Sequence, residues 1–213
     1  IFGRHPVYQG YPLMIGIIDY RIGNIGNVVR ALKYLGVDNR VIERPSEDIR
    51  KLSVLLLPGV GSFKPAMSSL DNLGWSDFIR SWSDRGNPLL GICLGMQLLF
   101  TRSFEEEECP GLGLVDGTIE LLPFRKSPHM GWNDISWSPD IPGIFEKNIP
   151  SGSFFYFVHS YGIPSCREEM ASSTVDGVRF TSAIYWGNII GFQFHPERSG
   201  HNGLKLLEAT MKY

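Results

Sequence analysis

Cysteine is scarce in this chain. The three residues, Cys93, Cys109 and Cys166, are irregularly spaced, which excludes a disulfide framework and a cysteine-built zinc site. An excess of either charge is also missing. The net charge of −2 gives no field that would draw the chain to nucleic acid. No run is both apolar and long enough to span a bilayer. No Gly-Lys-Ser/Thr follows Gly59 and Gly61, so a phosphate-binding loop is excluded. The segment Asp19–Gly26 lacks the glycine spacing of a dinucleotide site. His129, His159 and His201 lack metal-ligand spacing, so neither a metal nor another cofactor is expected. Residues 1–13 carry Gly3, Pro6, Gly10 and Pro12 with no periodicity and no signal-peptide core. They read as a leader or remnant outside the fold. The expected compartment is the reducing cytoplasm, away from membranes.

What is present suits one compact domain over residues 14–213. Hydrophobic residues make up 43%, enough for a sizeable core. Met14–Asp19, Asn39–Glu43, Val54–Leu57 and Pro88–Ile92 read as strands, most of them continuous apolar runs of the kind buried on both faces. Helical spacing follows the first strand, with Val28, Val29, Leu32 and Leu35 in phase, Asn24 as its cap and Gly36 as its stop. Ser46 is placed to cap a short helix. Amphipathic stretches lie around Ala66–Leu70 and Trp75–Trp82, and a further helix is expected from Cys93 through Phe100. Strands alternating with helices predict an α/β fold with a mostly parallel central sheet and flanking helices. From about residue 114 the pattern becomes β-rich, with strands at Val115–Leu121, Asp134–Trp137, Phe154–Val158, Ala183–Trp186 and Ile189–Phe194. A last helix starts near Gly200.

The chemistry centres on Gly91-Ile92-Cys93-Leu94-Gly95, which has the form of a nucleophile elbow with cysteine in place of serine. A buried strand turning abruptly into a helix forces the turn residue outward, and small neighbours permit the close approach. A thiol at a helix N-terminus is biased toward thiolate. A buried structural cysteine is the plainer alternative. His195, directly after an apolar strand, is placed to act as base, with Glu197 two residues on to orient it. Backbone N–H groups of Leu94 and of Val60 and Gly61, in the Pro58–Ser62 turn, are candidate oxyanion donors. Gln97 follows Cys93 by one helical turn and could contact a substrate above the thiolate. These residues leave a cysteine peptidase or small-molecule hydrolase open as an alternative.

Three ordered motifs, Pro58–Phe63, Gly91–Gln97 and Phe192–Glu197, together resemble a class I (triad) glutamine amidotransferase. Two more, Pro128–Asn133 and Tyr156–Tyr161, are similar to the glutaminase subunits of imidazole glycerol phosphate synthases. The resemblance covers about residues 14–213 and implies a flavodoxin-like glutaminase fold. It implies hydrolysis of L-glutamine through a Cys93 thioester. The ammonia would pass to a TIM-barrel cyclase subunit, in a heterodimer that makes imidazole glycerol phosphate and aminoimidazole carboxamide ribotide. It further implies a triad of Cys93, His195 and Glu197, glutamine contacts from Gly61, Gln97, Glu105, Ser160 and Tyr161, and a partner-facing surface with Asn24, Trp132, Asn133 and Tyr156. The family usually has glycine where Arg21 stands. Paralogous glutaminases that aminate surface-sugar precursors share most of these motifs, so a different synthase stays open as the recipient.

Overall fold

The computed structural model describes residues 13–46, 49 and 51–213. Its elements in chain order begin with β1 (Met14–Ile18), α1 (Ile25–Tyr34), β2 (Asp38–Ile42) and β3 (Val54–Leu57). Then come α2 (Phe63–Asn72), α3 (Trp75–Asp84), β4 (Leu89–Ile92), α4 (Leu94–Gln97), β5 (Phe100–Ser103) and β6 (Cys109–Pro110). The second half holds β7 (Val115–Leu121), β8 (His129–Asp134), β9 (Ser136–Trp137), α5 (Gly143–Asn148), β10 (Phe154–His159) and β11 (Tyr161–Gly162). It ends with β12 (Glu169–Val175), β13 (Val178–Trp186), β14 (Ile189–Phe192), a 3-10 turn at Pro196–Arg198 and α6 (Gly200–Lys212).

Among the described residues the main sheet has eight strands in the order β2-β1-β3-β4-β14-β13-β12-β9. The five from β2 to β14 are parallel, in the flavodoxin-like order, and β13, β12 and β9 continue antiparallel. Successive residues of the parallel strands feed opposite cores. Ile15, Ile17, Leu56, Leu90 and Ile92 pack with Val28 and Leu32 of α1 and Leu206 and Leu207 of α6. Ile18, Leu55, Leu57 and Leu89 pack with Phe63 and Met67 of α2 and Trp75 and Ile79 of α3. That two-sided burial is why these strands read as unbroken apolar runs. Among the described residues, β8 with β10, and β11-β7-β5-β6, form two smaller sheets.

Several expected elements are corrected. The helix after Cys93 ends at Gln97, and Phe100 already belongs to β5. Leu98, Leu99 and Phe100 are all fully buried, so this run has no solvent face on which a surface helix could continue. Asp134–Trp137 is not one strand: β8 ends at Asp134 and β9 starts at Ser136, on different sheets. Asn24 stands at the N-cap of α1, but its side chain makes no capping hydrogen bond. The Ser46 cap falls beside residues 47, 48 and 50, which lie outside the described residues. So do residues 1–12 of the expected leader, whereas Leu13 is half-buried against the core.

Candidate active site

The parallel pairing of β4 with β14 puts Gly91 beside Gly191 and Ile92 beside Phe192. The chain therefore leaves both strands at the same level, at the carboxyl edge of the sheet. Cys93 extends the ladder by one bond, its N–H donating to the Phe192 carbonyl at 2.7 Å. It then turns with φ 55 and ψ −114, a left-handed conformation that costs a non-glycine residue about 1–3 kcal/mol. Its neighbours explain how the strain is held. A Cβ on Gly95 would come within 1.9 Å of the Leu57 carbonyl oxygen, and one on Gly91 within 2.8 Å of the Met96 Cα. Only glycines let α4 descend so closely onto β3 and β4. Leu94, as the first residue of α4, has an N–H with no acceptor inside the helix.

Beyond β14 the chain runs on as Gln193-Phe194-His195. Phe194 stacks on Phe155 at 4.3 Å, and the His195 N–H donates to the Tyr156 carbonyl at 2.9 Å. The Ser199 hydroxyl donates to the His195 carbonyl at 2.6 Å and accepts from the Tyr156 N–H at 2.9 Å. The histidine backbone is thus fixed from β10 and from the start of α6. Its Nδ1 lies 2.8 Å from Glu197 Oε1, with both side chains only 3% exposed. Nε2 is buried without a hydrogen-bond partner among the described residues, and Cys93 acts on the ring electrostatically. Burial disfavours the charged imidazole. The Cys93 charge, with the hydrogen bond and charge of Glu197, outweighs it and raises the His195 pKa to about 10. A thiol facing an imidazole that is held by a buried carboxylate can cycle between thiol–imidazole and thiolate–imidazolium.

Gln97 and Gln193 complete the floor of the site. Gln97 is buried, and its Nε2 donates to the Tyr161 carbonyl at 2.8 Å and to Gln193 Oε1 at 2.9 Å. Gln97 therefore spends its amide hydrogens on the protein, leaving its carbonyl oxygen as the group able to meet a substrate. Gln193, fully buried, points its own Nε2 at the Cys93 sulfur at 3.9 Å. Gln193 is not among the residues expected at the site, yet an amide inside the apolar run Ile189–Phe194 must find partners, and that is the signal the sequence offers. His159 Nδ1 donates to the same Tyr161 carbonyl at 2.9 Å, and burial pushes this imidazole down to about 3, so the ring is neutral.

The Tyr161 hydroxyl donates to the Glu105 carbonyl at 2.9 Å, which brings the Glu105 loop to β11. The Glu105 carboxylate accepts the Phe63 N–H at 2.6 Å, at the start of α2. It thus caps the helix that follows the Pro58–Ser62 turn. Ser160 is half-buried and accepts from the Ser127 hydroxyl at 2.8 Å. In the Pro58–Ser62 turn, Gly59 is buried against the elbow, with a Cβ there 2.9 Å from Leu94 Cβ and 3.0 Å from Gly95 N. Val60 and Gly61 are exposed, Gly61 with φ 114.

The residues expected to face a partner are exposed or half-buried. Trp132 and Tyr156 are register partners on β8 and β10, with rings 6.2 Å apart, and Trp132 is 55% exposed. Asn133 bonds instead to its own chain, donating to the Thr174 carbonyl and accepting from the Asp134 N–H. Asn24 is exposed. Arg21 is also exposed and has φ 68, held by its N–H donating to Asp19 Oδ1. The substituted position therefore keeps a conformation that glycine would favour. No helix among the described residues is long and apolar enough to cross a membrane.

The glutamine amidotransferase class-I family matches residues 16–212. Imidazole glycerol phosphate synthase subunit HisH of Moorella thermoacetica is 45% identical over 196 residues, covering 91% of this chain and 92% of that protein. The subunit of the same name from Aquifex aeolicus is 43% identical over 194 residues, covering 90% and 93%. Among solved structures, a glutamine amidotransferase matches with a TM-score of 0.72 at 19% identity, covering 93% of this chain and 97% of that one. PurLQS from Thermotoga maritima gives a TM-score of 0.72 at 18% identity, covering 95% and 99%. These two share the fold. The chain belongs to the class I glutamine amidotransferase family.

Proposed function

We propose that this chain is the glutaminase subunit of an imidazole glycerol phosphate synthase. It hydrolyses L-glutamine and delivers the ammonia to a cyclase subunit of TIM-barrel fold. The observation that carries the chemistry is the strained Cys93 elbow facing an imidazole held by buried Glu197. The relatives named HisH carry the choice of synthase.

The steps follow from the side chains. His195 takes the Cys93 proton, and the thiolate attacks the substrate amide carbon. Negative charge moves to the amide oxygen, where N–H groups of Leu94, Val60 and Gly61 are the donors. The tetrahedral species collapses, the C–N bond breaks, and His195 returns its proton to the departing ammonia. Water, deprotonated by His195, then hydrolyses the γ-glutamyl thioester and releases glutamate. Glu197 keeps the ring in the productive tautomer and supports its charged form. The substrate lies between Gln97, Glu105, Ser160 and Tyr161, near Gly61. Trp132, Tyr156, Asn133 and Asn24 form the face toward the cyclase. Arg21 keeps a backbone conformation that glycine would favour, and the relatives named HisH support the histidine-pathway cyclase as partner.

A glutamine-like chloroketone tests the reading. It should alkylate Cys93 stoichiometrically with competition by glutamine, and a histidine-pathway cyclase should raise glutamine turnover. Labelling elsewhere would refute the nucleophile. Stimulation only by a sugar-aminating synthase would refute the partner.

A further inference from the structure

Tyr20 follows β1 and is 1% exposed. Its hydroxyl has no hydrogen-bond partner among the described residues. A buried hydroxyl without a partner is costly, and its retention asks for a reason. Its surroundings supply one. A Cβ on Gly59 would come within 2.4 Å of this oxygen, and the same point is 2.9 Å from Leu94 Cβ and 3.0 Å from Gly95 N. The hydroxyl, the turn after β3 and the elbow therefore meet in one corner. The tyrosine is fixed in place, since its carbonyl accepts from the Ser69 hydroxyl on α2. Burial, with the Cys93 charge added, pushes the phenol above its ordinary range, so it stays a neutral donor.

The geometry points to Tyr20 as a positioning residue of the glutaminase site, its hydroxyl held in reserve for a carbonyl of the Pro58–Gly61 turn. Carbonyl and N–H of a trans peptide point in opposite directions. Fixing the carbonyl of a peptide next to Gly59 therefore fixes where its N–H aims. Gly59 has no side chain to hinder that rotation, and a Cβ there would collide with the hydroxyl itself. In the arrangement described above no such bond is made. It forms when the turn reorients to meet the oxyanion above Cys93. Tyr20 thus favours the working orientation of the turn without touching the substrate. This inference rests on the glutaminase reading.

Tyr20→Phe tests it, assayed with the cyclase subunit bound. Glutamine kcat should fall about tenfold, the worth of one hydrogen bond, with KM within about twofold. The melting temperature should hold or rise, because the variant buries no unpaired hydroxyl. The rate of Cys93 alkylation by iodoacetamide should not change. An unchanged kcat would overturn the inference. So would a lower kcat accompanied by a lower melting temperature and altered alkylation, which would assign the residue to packing. The parent chain separates the two readings. If the parent turns over no glutamine, the glutaminase reading fails. If parent and variant are equally active, only the role of Tyr20 fails.

Discussion

His195 Nδ1 lies 2.8 Å from Glu197 Oε1, in a pair almost wholly withdrawn from solvent. Burial alone would keep this imidazole neutral. The Cys93 charge on one side and the carboxylate on the other reverse that preference. Glu197→Gln retains the shape but removes one of the two supporting charges. Glutamine kcat should fall on the order of a hundredfold, as for a weakened general acid–base. That loss is smaller than for Cys93→Ala. An unaffected rate would remove Glu197 from the triad.

The same pair fixes a pH dependence. The folded His195 pKa is raised from 6.5 to about 10, so its charged form stabilises the fold fully below about pH 6.5. That contribution is lost as pH rises through about 10. The alkaline limb of kcat/KM should follow the same group, and Glu197→Gln should move it to lower pH. A limb at the same pH in both proteins would contradict the assignment.

Gly95→Ala should destabilise the fold by about 3 kcal/mol or prevent folding, because its methyl group meets the Leu57 carbonyl and backbone cannot move aside cheaply. Gly113→Ala is the comparison. It meets nothing within 4 Å and carries only the penalty of φ 67, about 1 kcal/mol. Urea unfolding of the two variants measures the difference. Equal losses would show that the elbow is not packed so tightly.

Gln193→Leu removes the acceptor of Gln97 and the amide beside the Cys93 sulfur. One donor of a buried amide is left unpaired, which should cost about 1–3 kcal/mol in urea unfolding. A neutral substitution would mean that Gln97 finds another acceptor.

Arg21→Gly should raise stability, by no more than about 1 kcal/mol, since the relief of a left-handed residue is partly offset by the entropy of glycine. A loss of stability would show that the arginine side chain contributes more than its backbone strain costs.

The parallel half of the sheet was legible because Val54–Leu57 and Leu89–Ile92 are buried on both faces and so are apolar throughout. The elbow was legible because the strain at Cys93 requires Gly91 and Gly95. β12 was missed because Glu169–Val175 includes Glu, two Ser and Thr, and its burial rests partly on side-chain bonds such as Ser173 to the Asp134 carbonyl. β11 has two residues, too short for any period to register, and the two residues of β9 could not be separated from Asp134 of β8. The triad residues were identified singly, but the Gln97–Gln193 link joins α4 to the end of β14 and depends on tertiary pairing. The spacing that set Gln97 one turn after Cys93 carried no sign of that partner, nor of the all-round burial of α4.

Cys93 serves only to release ammonia from glutamine. Cys93→Ala, assembled with the cyclase subunit, should make no product from glutamine yet retain parental synthesis from added ammonium salt. Loss of the ammonium-dependent reaction as well would contradict this role of Cys93, as would glutamine-dependent synthesis that survives without the thiol.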